Sequence, residues 1–282
     1  MTLIKSISGI RGTLGGVSGE NLTPIDVVKY TSAYGSMLLQ RKKGKRVVVG
    51  RDARISGPLV HELVINTLMA LGLDVLDAGL CTTPTVEMAV MEEKAAGGII
   101  LTASHNPKQW NALKLLNHKG EFISAQDGEI VLQLAESADI SFATVDHLGK
   151  RTQKDYLPMH IEKILALELV KPELIAAQKY RIAIDAVNSV GGIAVPALLK
   201  ALGVEEIFEI NCEPTGHFAH NPEPLKEHLT ELCSTVVNTK SDLGIAVDPD
   251  VDRLCFVSED GELFGEEYTL VAIADYILQH KK

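Results

Sequence analysis

The chain has 282 residues, of which 46% are hydrophobic and 23% charged, and its formal net charge is −10. This composition is typical of a folded globular protein and excludes a largely disordered chain. The length favours two domains, each able to bury a core of its own. The acidic balance argues against general binding to nucleic acid or to an anionic membrane. An anionic small molecule fits only if the basic residues are concentrated in one cleft.

No apolar run reaches the roughly 18 residues that a membrane-spanning helix needs. The N-terminal "MTLIKSISG" also lacks the apolar core of a signal peptide. The cysteines show no paired spacing, so we expect buried thiols in a reducing cytoplasm rather than disulfides. They are Cys81, Cys212, Cys233 and Cys255.

Helix-like and strand-like segments alternate from residue 23 to about 137. Thr23 is a predicted N-cap, Pro24 stands at the first helical position, and Gly72 ends the second helix. This alternation predicts βαβ crossovers and a mainly parallel sheet with helices on both faces. In chain order the segments are "TPIDVVKYTSAYGSMLLQRK" (helix), "RVVVG" (strand), "GPLVHELVINTLMALG" (helix), "LDVLDAG" (strand), "TPTVEMAVMEEK" (helix) and "AAGGIILTA" (strand).

A polar stretch at about 136–155, "ESADISFATVDHLGKRTQKD", is predicted to be a linker. The alternation then restarts, and a shared order of basic residue, strand, turn and helix favours two copies of one α/β unit. The second set is "YRIAIDA" (strand), "GGIAVPALLKALG" (helix), "VEEIFEI" (strand), a helix after the proline-rich loop "CEPTGHFAHNPEP", "LGIAV" (strand) and the final helix "EEYTLVAIADYILQHKK".

The segment "DPDVDR" places Asp248, Asp250 and Asp252 directly after a predicted strand. Because three neighbouring carboxylates repel one another, a loop that keeps them indicates a cation, and oxygen ligands favour Mg²⁺ or Ca²⁺. A solvated acidic turn is the alternative, although Pro249 stiffens this loop and apolar strands flank it. An EF-hand is excluded because Arg253 stands where that loop needs glycine. The arginine indicates a phosphate held jointly with the cation.

Ser104, His105 and Asn106 follow a buried strand, at the edge of the sheet where ligands collect in open α/β folds. Alternatively, these residues cap a turn before Pro107, with the histidine as a structural hydrogen-bond donor. No G-x-S-x-G elbow is present, which disfavours a hydrolase triad. A returning strand over "NALKLLN" would bring Lys114 back beside the serine, whereas an exposed lysine is the simpler alternative.

Two glycine-containing loops carry basic residues. "SISGIRGTLGG" surrounds Arg11 with glycines whose backbone can approach a ligand closely, and a mobile terminus is an equal alternative. "GRDARISG" places Arg51 and Arg54 on either side of Asp52 after a predicted strand. For Asp52 we favour a structural ion pair with Arg51.

These motifs together resemble the α-D-phosphohexomutases, which include phosphoglucomutase, phosphomannomutase and phosphoglucosamine mutase. "TASHNP" is similar to their phosphoserine loop and "DPDVDR" to their Mg²⁺ loop, while "SGIRG", "GRDARISG", "GLCTTPT" and "FAHNPEP" are similar to supporting motifs. The resemblance covers nearly the whole chain. It implies two similar three-layer α/β/α domains with mainly parallel mixed sheets, at 1–150 and 151–262, and an active site in the cleft between them. Residues 263–282 would open a third domain.

The resemblance implies an isomerase that moves a phosphoryl group between C6 and C1 of a hexose phosphate. The group would pass through phosphorylated Ser104 and a hexose bisphosphate intermediate, and hexose 1,6-bisphosphate would act as activator. Lys114 would be the general base towards the sugar hydroxyl, its pKa lowered by nearby cations. The other implied site residues are Asp248, Asp250, Asp252 and an oxygen on phosphorylated Ser104 as Mg²⁺ ligands, and Arg11, His105, Asn106 and Arg253 as groups that position phosphate and hydroxyl or offset charge.

Two residues depart from the family pattern. Val251 stands where many members have glycine or alanine, and Ala112 replaces a frequent glycine. A β-branched residue disfavours a positive φ, so either the loop needs no left-handed residue at 251 or its geometry differs.

Full members of the family have four domains, and the sugar-recognition and phosphate-binding loops of the last two are absent here. We therefore expect an N-terminal fragment that is not fully active alone. Its expected partners are a hexose phosphate and the missing C-terminal domains. We expect neither nucleic acid nor a membrane as a partner, and the sequence leaves oligomerisation open. The remaining alternatives are a Mg²⁺-dependent phosphohydrolase and a non-catalytic sugar-phosphate-binding protein. The motifs do not fix the hexose and lean only slightly to phosphoglucosamine.

Overall fold

A computed structural model describes residues 1–6, 9–137 and 140–280. Parts of the glycine-rich N-terminal segment, of the predicted linker and of the last predicted helix therefore lie outside the described residues. The chain divides into two compact units. The first comprises Met1–Ala103 and Pro107–Tyr156, and the second comprises Ser104–Asn106 and Leu157–Lys282. The short serine segment is thus grouped with the second unit.

The first unit contains a seven-stranded mixed sheet in the order β1-β2-β6-β5-β3-β4-β7. The three pairings from β5 to β7 are parallel, and the three from β1 to β5 are antiparallel. The strands are β1 (Ile4–Ser6), β2 (Gly9–Thr13), β3 (Arg46–Arg51), β4 (Asp74–Leu80), β5 (Gly97–Leu101), β6 (Trp110–Leu116) and β7 (Arg151–Gln153).

Helices cover both faces of this sheet. They are α1 (Pro24–Arg41), α2 (Gly57–Ala70), α3 (Thr83–Glu92) and α4 (Ala125–Glu136). The helices α1, α2 and α4 share one core with Val47, Val49 and Ile99. On the other face, α3 packs against β3 and β5. The alternation of side chains along β3 and β5 supplies an apolar surface to each helical layer, as the sequence predicts.

The first helix begins as its sequence predicts. The Thr23 backbone N–H donates to the carboxylate of Asp26 at 3.0 Å, and Pro24 occupies the first helical position, where no N–H is needed. Thr23 Oγ1 accepts from the Asp26 N–H, which completes a capping box. These local bonds explain why the predicted and observed helix starts agree.

The second unit contains the four-stranded sheet β11-β10-β8-β9, in which only β10 and β11 are antiparallel. On one face α7 packs against β8 and β9, and on the other α8 packs against β8 and β10. The first two domains of the predicted fold are therefore three-layered α/β units. The elements are β8 (Arg181–Asp185), β9 (Glu206–Ile210), β10 (Leu243–Val247), β11 (Leu254–Ser258), α5 (Leu157–Leu165), α6 (Pro172–Gln178), α7 (Gly191–Ala201), α8 (Thr230–Thr239) and α9 (Glu266–His280).

The predicted linker at 136–155 is wrong over its last part. Its residues include β7, which pairs in parallel with β4 and extends the first unit to Tyr156 rather than to residue 150. Polar contacts hold this edge strand, because Arg151 Nη2 lies 2.7 Å from Asp77 Oδ2. Burial alone would raise the pKa of Asp77, but hydrogen bonds from His61 and Arg151 hold it well below its usual range. A three-residue polar strand gives no alternating pattern, so the sequence could not reveal it.

Within the described part of the chain, no helix is both long and apolar enough to cross a bilayer. The four cysteines, all of which the structure describes, are free thiols. Cys81 and Cys255 are buried, but Cys212 and Cys233 are only half-buried, so full burial of every thiol is wrong.

Candidate functional site

The turn between β10 and β11 brings three carboxylates together. One oxygen each from Asp248, Asp250 and Asp252 lies within 4.8 Å of the other two. The Asp248 carboxylate also accepts the backbone N–H groups of Asp252 and Arg253, both at 3.1 Å, which closes the turn. From a neighbouring loop, Ser189 Oγ donates to the Pro249 carbonyl at 2.7 Å. The turn is therefore fixed in place by its own backbone and by the second unit.

Val251 occupies a left-handed backbone conformation with φ of +60°. Of the two alternatives that the sequence leaves open, the loop does have a left-handed residue at this position. A β-branched residue is strained there. Val251 also packs against the core of the second unit that contains Ile245 and Val247. This packing keeps the valine in place although glycine would adopt the backbone more easily.

The electrostatics of the turn fit a hard divalent cation. Asp248 and Asp250 are fully buried, while Asp252 is exposed. Burial raises the pKa of Asp248 well above its usual range, and the charges of Asp250 and Asp252 raise it further. A cation that binds the three carboxylates would compensate this repulsion, and oxygen donors suit Mg²⁺ and Ca²⁺. The cluster could therefore hold a metal ion.

The Ser104 hydroxyl lies directly on this cluster. Ser104 Oγ donates to Asp248 Oδ2 at 2.6 Å and lies 3.4 Å from Asp252 Oδ1. The serine backbone is left-handed, with φ of +50°. The structure thus joins two motifs that are 144 residues apart in the chain. A turn cap alone, the simpler alternative from the sequence, does not explain a hydroxyl directed at an acidic cluster.

A further carboxylate residue, Glu223, connects two basic side chains of the same site. Its carboxylate forms an ion pair with Arg253 and lies 3.4 Å from His105 Nε2. Glu223 belongs to the "FAHNPEP" motif, in which no individual residue was predicted to have a role. Asn106 is half-buried in the same three-residue segment as Ser104. Only the motif itself could have indicated Glu223 beforehand.

The first unit carries the two remaining predicted site residues, Arg11 and Lys114. Arg11 on β2 pairs with Ala112 on β6, and Lys114 follows two residues later, so both basic side chains lie on one face of the sheet. Lys114 Nζ also lies 5.9 Å from the centre of the Phe122 ring. The returning strand predicted over "NALKLLN" is confirmed as β6.

The predicted ion pair of Arg51 and Asp52 is wrong, because Asp52 binds Arg54 instead. Arg54 Nε lies 3.0 Å from Asp52 Oδ2, and both side chains are fully buried. Arg51 Nη1 donates instead to the Asp52 backbone carbonyl, at 3.1 Å. The chain turns inward after β3, so the arginine two residues after the aspartate, and not the one before it, enters the interior.

Another ion pair outside the sequence predictions lies at the end of β8. His220 Nε2 is 3.0 Å from Asp185 Oδ2. Burial alone would lower the pKa of His220, but the contact with Asp185 raises it above its usual value. This pair attaches the "FAHNPEP" loop to the sheet of the second unit.

Comparisons with known proteins agree with this fold. Residues 4–140 match the family model described as phosphoglucomutase/phosphomannomutase, alpha/beta/alpha domain I, and residues 158–261 match the corresponding domain II. A phosphoglucomutase/phosphomannomutase of Thermococcus kodakarensis is 35% identical over 273 residues, which are 95% of this chain and 59% of the relative. A probable phosphoglucosamine mutase of Pyrococcus abyssi is 35% identical over 272 residues, 96% of this chain and 57% of the relative.

Solved structures of proteins named as phosphoglucomutases or phosphomannomutases share this fold. The structure of a putative phosphomannomutase from Thermus thermophilus matches with a TM-score of 0.86 and 25% identity, covering 100% of this chain and 62% of that one. A phosphoglucomutase/phosphomannomutase family protein from Burkholderia thailandensis matches with a TM-score of 0.81 and 28% identity, covering 98% and 60%.

Fold and site define a two-unit α/β protein that presents a serine hydroxyl to a carboxylate cluster able to hold a metal ion. The chain belongs to the phosphoglucomutase/phosphomannomutase family. It spans 57% to 59% of the length of the two curated relatives described above.

Proposed function

We propose that this chain carries the phosphoryl-transfer site of a phosphohexomutase, with Ser104 as the residue that is phosphorylated. The observation that carries the proposal is the 2.6 Å hydrogen bond between Ser104 Oγ and Asp248 Oδ2. A phosphoryl group on this oxygen would lie against a cluster suited to a divalent cation. Charge neutralisation and positioning are the main contributions of a protein to phosphoryl transfer.

The three aspartates would hold Mg²⁺, which when bound would supply positive charge to the phosphoryl oxygens. The sugar hydroxyl oxygen forms a bond to phosphorus as the bond between phosphorus and Ser104 Oγ breaks. Lys114 accepts the hydroxyl proton, and overall a proton replaces the phosphoryl group on Ser104 Oγ. The hexose bisphosphate then returns its other phosphoryl group to the serine by the reverse chemistry.

The basic residues would position the anionic groups. Arg11 is half-buried, and its Nε has no hydrogen-bond partner within the described residues, which supports a role in binding a phosphate. Arg253 would offset the charge on the transferring group, and His105 and Asn106 would position it. The ion pair with Glu223 orients Arg253 and restrains His105 beside the serine.

In the whole protein, the first unit, which reaches Tyr156, and the second unit, up to residue 262, would act as the first two domains of the mutase, and residues 263–282 would open the third. The substrate class would be a hexose phosphate, and the similarity to a probable phosphoglucosamine mutase of Pyrococcus abyssi supports glucosamine phosphate as one member. A hexose 1,6-bisphosphate would phosphorylate the serine and so activate the protein.

The proposal is tested by mass spectrometry after incubation of the chain with glucose 1,6-bisphosphate and Mg²⁺. We expect one phosphoryl group on the peptide that contains Ser104. Ser104→Ala should abolish the label, whereas Ser124→Ala, which removes an exposed hydroxyl at the start of α4, should not. A folded wild-type chain that stays unlabelled would contradict the proposal and favour a sugar-phosphate-binding protein. Label that is lost to water at the same rate with and without hexose phosphate would favour a phosphohydrolase.

A further inference from the structure

The loop that presents the serine is held at its far end by a buried arginine. Arg54 is fully buried, and its Nη1 donates to the backbone carbonyls of Pro107 at 2.9 Å and Trp110 at 3.1 Å. Its Nε donates to Asp52 at 3.0 Å. An unpaired buried guanidinium is very unfavourable, so we expect the folded chain to keep these contacts. Arg54 therefore bridges the two residues at which the loop returns towards β6.

The near end of the loop is held by the partner of that arginine. Asp52 Oδ2 accepts the hydroxyl hydrogen of Thr102 at 2.7 Å, and the Asp52 N–H donates to the Leu101 carbonyl at 3.1 Å. Its Oδ1 accepts the Arg54 N–H at 3.0 Å. The Asp52–Arg54 pair thus binds the chain on both sides of Ser104. We refer to these contacts as the loop clamp.

The residue between the two ends has a strained backbone. Ser104 has φ of +50°, a conformation that residues other than glycine and asparagine adopt rarely. Such a conformation persists only where the surrounding contacts determine it. Thr102 lies two residues before the serine and Pro107 three residues after it. The loop clamp fixes both positions and so restricts the conformations available to the residues between them.

We propose that Arg54 and Asp52 are positioning residues that hold Ser104 in its left-handed conformation and direct its hydroxyl oxygen at the aspartate cluster. The consequence for catalysis rests on the proposed function. Displacement of a reacting group by about 1 Å can cost on the order of 100-fold in rate. Loss of the clamp should therefore slow transfer to the serine without weakening the binding of the sugar bisphosphate.

Two variants of the chain test the clamp. Thr102→Val removes one hydroxyl from its near end. Arg54→Lys keeps the charge but loses the planar guanidinium that binds Asp52 through Nε and the two carbonyls through Nη1. The matched control is Thr67→Val, which removes a buried hydroxyl bonded to the Leu63 carbonyl inside α2 at 2.6 Å. Each protein is assayed for the rate of Ser104 labelling over a range of glucose 1,6-bisphosphate concentrations. Amide hydrogen exchange is measured on the peptide that spans residues 101–111.

We expect the maximal labelling rate to fall at least about tenfold in Arg54→Lys and several-fold in Thr102→Val. The half-saturating concentration should stay within about twofold, exchange at 101–111 should accelerate, and the control should match wild type. Folded variants with wild-type exchange and wild-type maximal rates would overturn the proposal; if Arg54→Lys does not fold, Thr102→Val decides alone. A wild-type chain that is never labelled would refute the proposed function, while the exchange data would still decide on the clamp.

Discussion

Replacement of Asp250 by Asn should have opposite effects on the protein with and without metal. Asp248 and Asp250 are both fully buried, and their candidate ligand oxygens lie within 4.8 Å of each other. Without metal the variant relieves a repulsion between two buried carboxylates. With metal it removes the negative charge of one candidate ligand, which weakens binding of the cation. We therefore expect the metal-free variant to be more stable than wild type and to lose the stabilisation that Mg²⁺ gives.

The magnitude follows from the geometry. Two like charges 4.8 Å apart repel by roughly 3 kcal/mol at an effective dielectric constant of about 20. Asp248 relieves part of this by retaining a proton, because its pKa is raised by burial and by its acidic neighbours. We therefore expect a gain of about 1–2 kcal/mol for metal-free Asp250→Asn at pH 7.5. In wild type, Mg²⁺ at about 100 times its dissociation constant should add about 2.7 kcal/mol, or roughly 10 °C in Tm.

The stability difference between Asp250→Asn and wild type should depend on pH, and its direction follows from the raised pKa of Asp248. Because the pKa of Asp248 is raised in the folded state, this one group contributes its full share of stability to the metal-free wild type below the unfolded-state pKa of an aspartate. That stability is lost as the pH rises through the folded-state pKa. The advantage of Asp250→Asn should therefore be smaller at pH 5 than at pH 7.5, and Mg²⁺ should stabilise wild type more at the higher pH.

Thermal unfolding followed by circular dichroism, in EDTA or in MgCl₂ at both pH values, measures these effects. Glu205→Gln, which neutralises an exposed carboxylate elsewhere in the second unit, is the charge-matched control and should behave as wild type. Two results would refute the reasoning. One is an Asp250→Asn variant with the full wild-type shift in MgCl₂, and the other is a variant less stable than wild type in EDTA at pH 7.5.

Further predictions concern packing and a histidine. A Cβ added at Gly149 would lie 1.8 Å from the Leu73 carbonyl oxygen. A Cβ added at Gly128, inside α4, would have no described heavy atom of another residue within 4 Å, apart from its chain neighbours and the helix backbone. Urea unfolding should therefore show a loss of at least about 2 kcal/mol for Gly149→Ala and a gain of about 0.5–1 kcal/mol for Gly128→Ala; equal effects would contradict this account. The contact with Asp185 raises the pKa of His220 despite its burial, so its stabilisation is present below pH of about 6.5 and lost as the pH rises. His220→Gln should cost more stability at pH 6 than at pH 8, unlike the exposed His217→Gln.

Local features of this protein were predictable because their causes are close in the chain. The capping box at Thr23 and the alternation along "RVVVG" depend on neighbouring residues, and both helix and strand formed as expected. The aspartate cluster was equally visible, since Asp248 and Asp252 are four residues apart on one turn. Repulsion between such close charges exists in any conformation of the loop, so the sequence alone indicated a cation.

Which side chains and carbonyls contact one another across distant parts of the chain was decided only by the tertiary structure. Glu223 contacts both His105 and Arg253, yet nothing in the local sequence of these residues specifies which carboxylate neutralises them. Arg54 likewise binds carbonyls more than 50 residues away, at Pro107 and Trp110, while Arg51, three residues before it, donates its Nη1 to the Asp52 backbone carbonyl. Backbone carbonyls are present at every residue and carry no sequence signal. Which of them a buried cation meets depends on how the strands and loops pack.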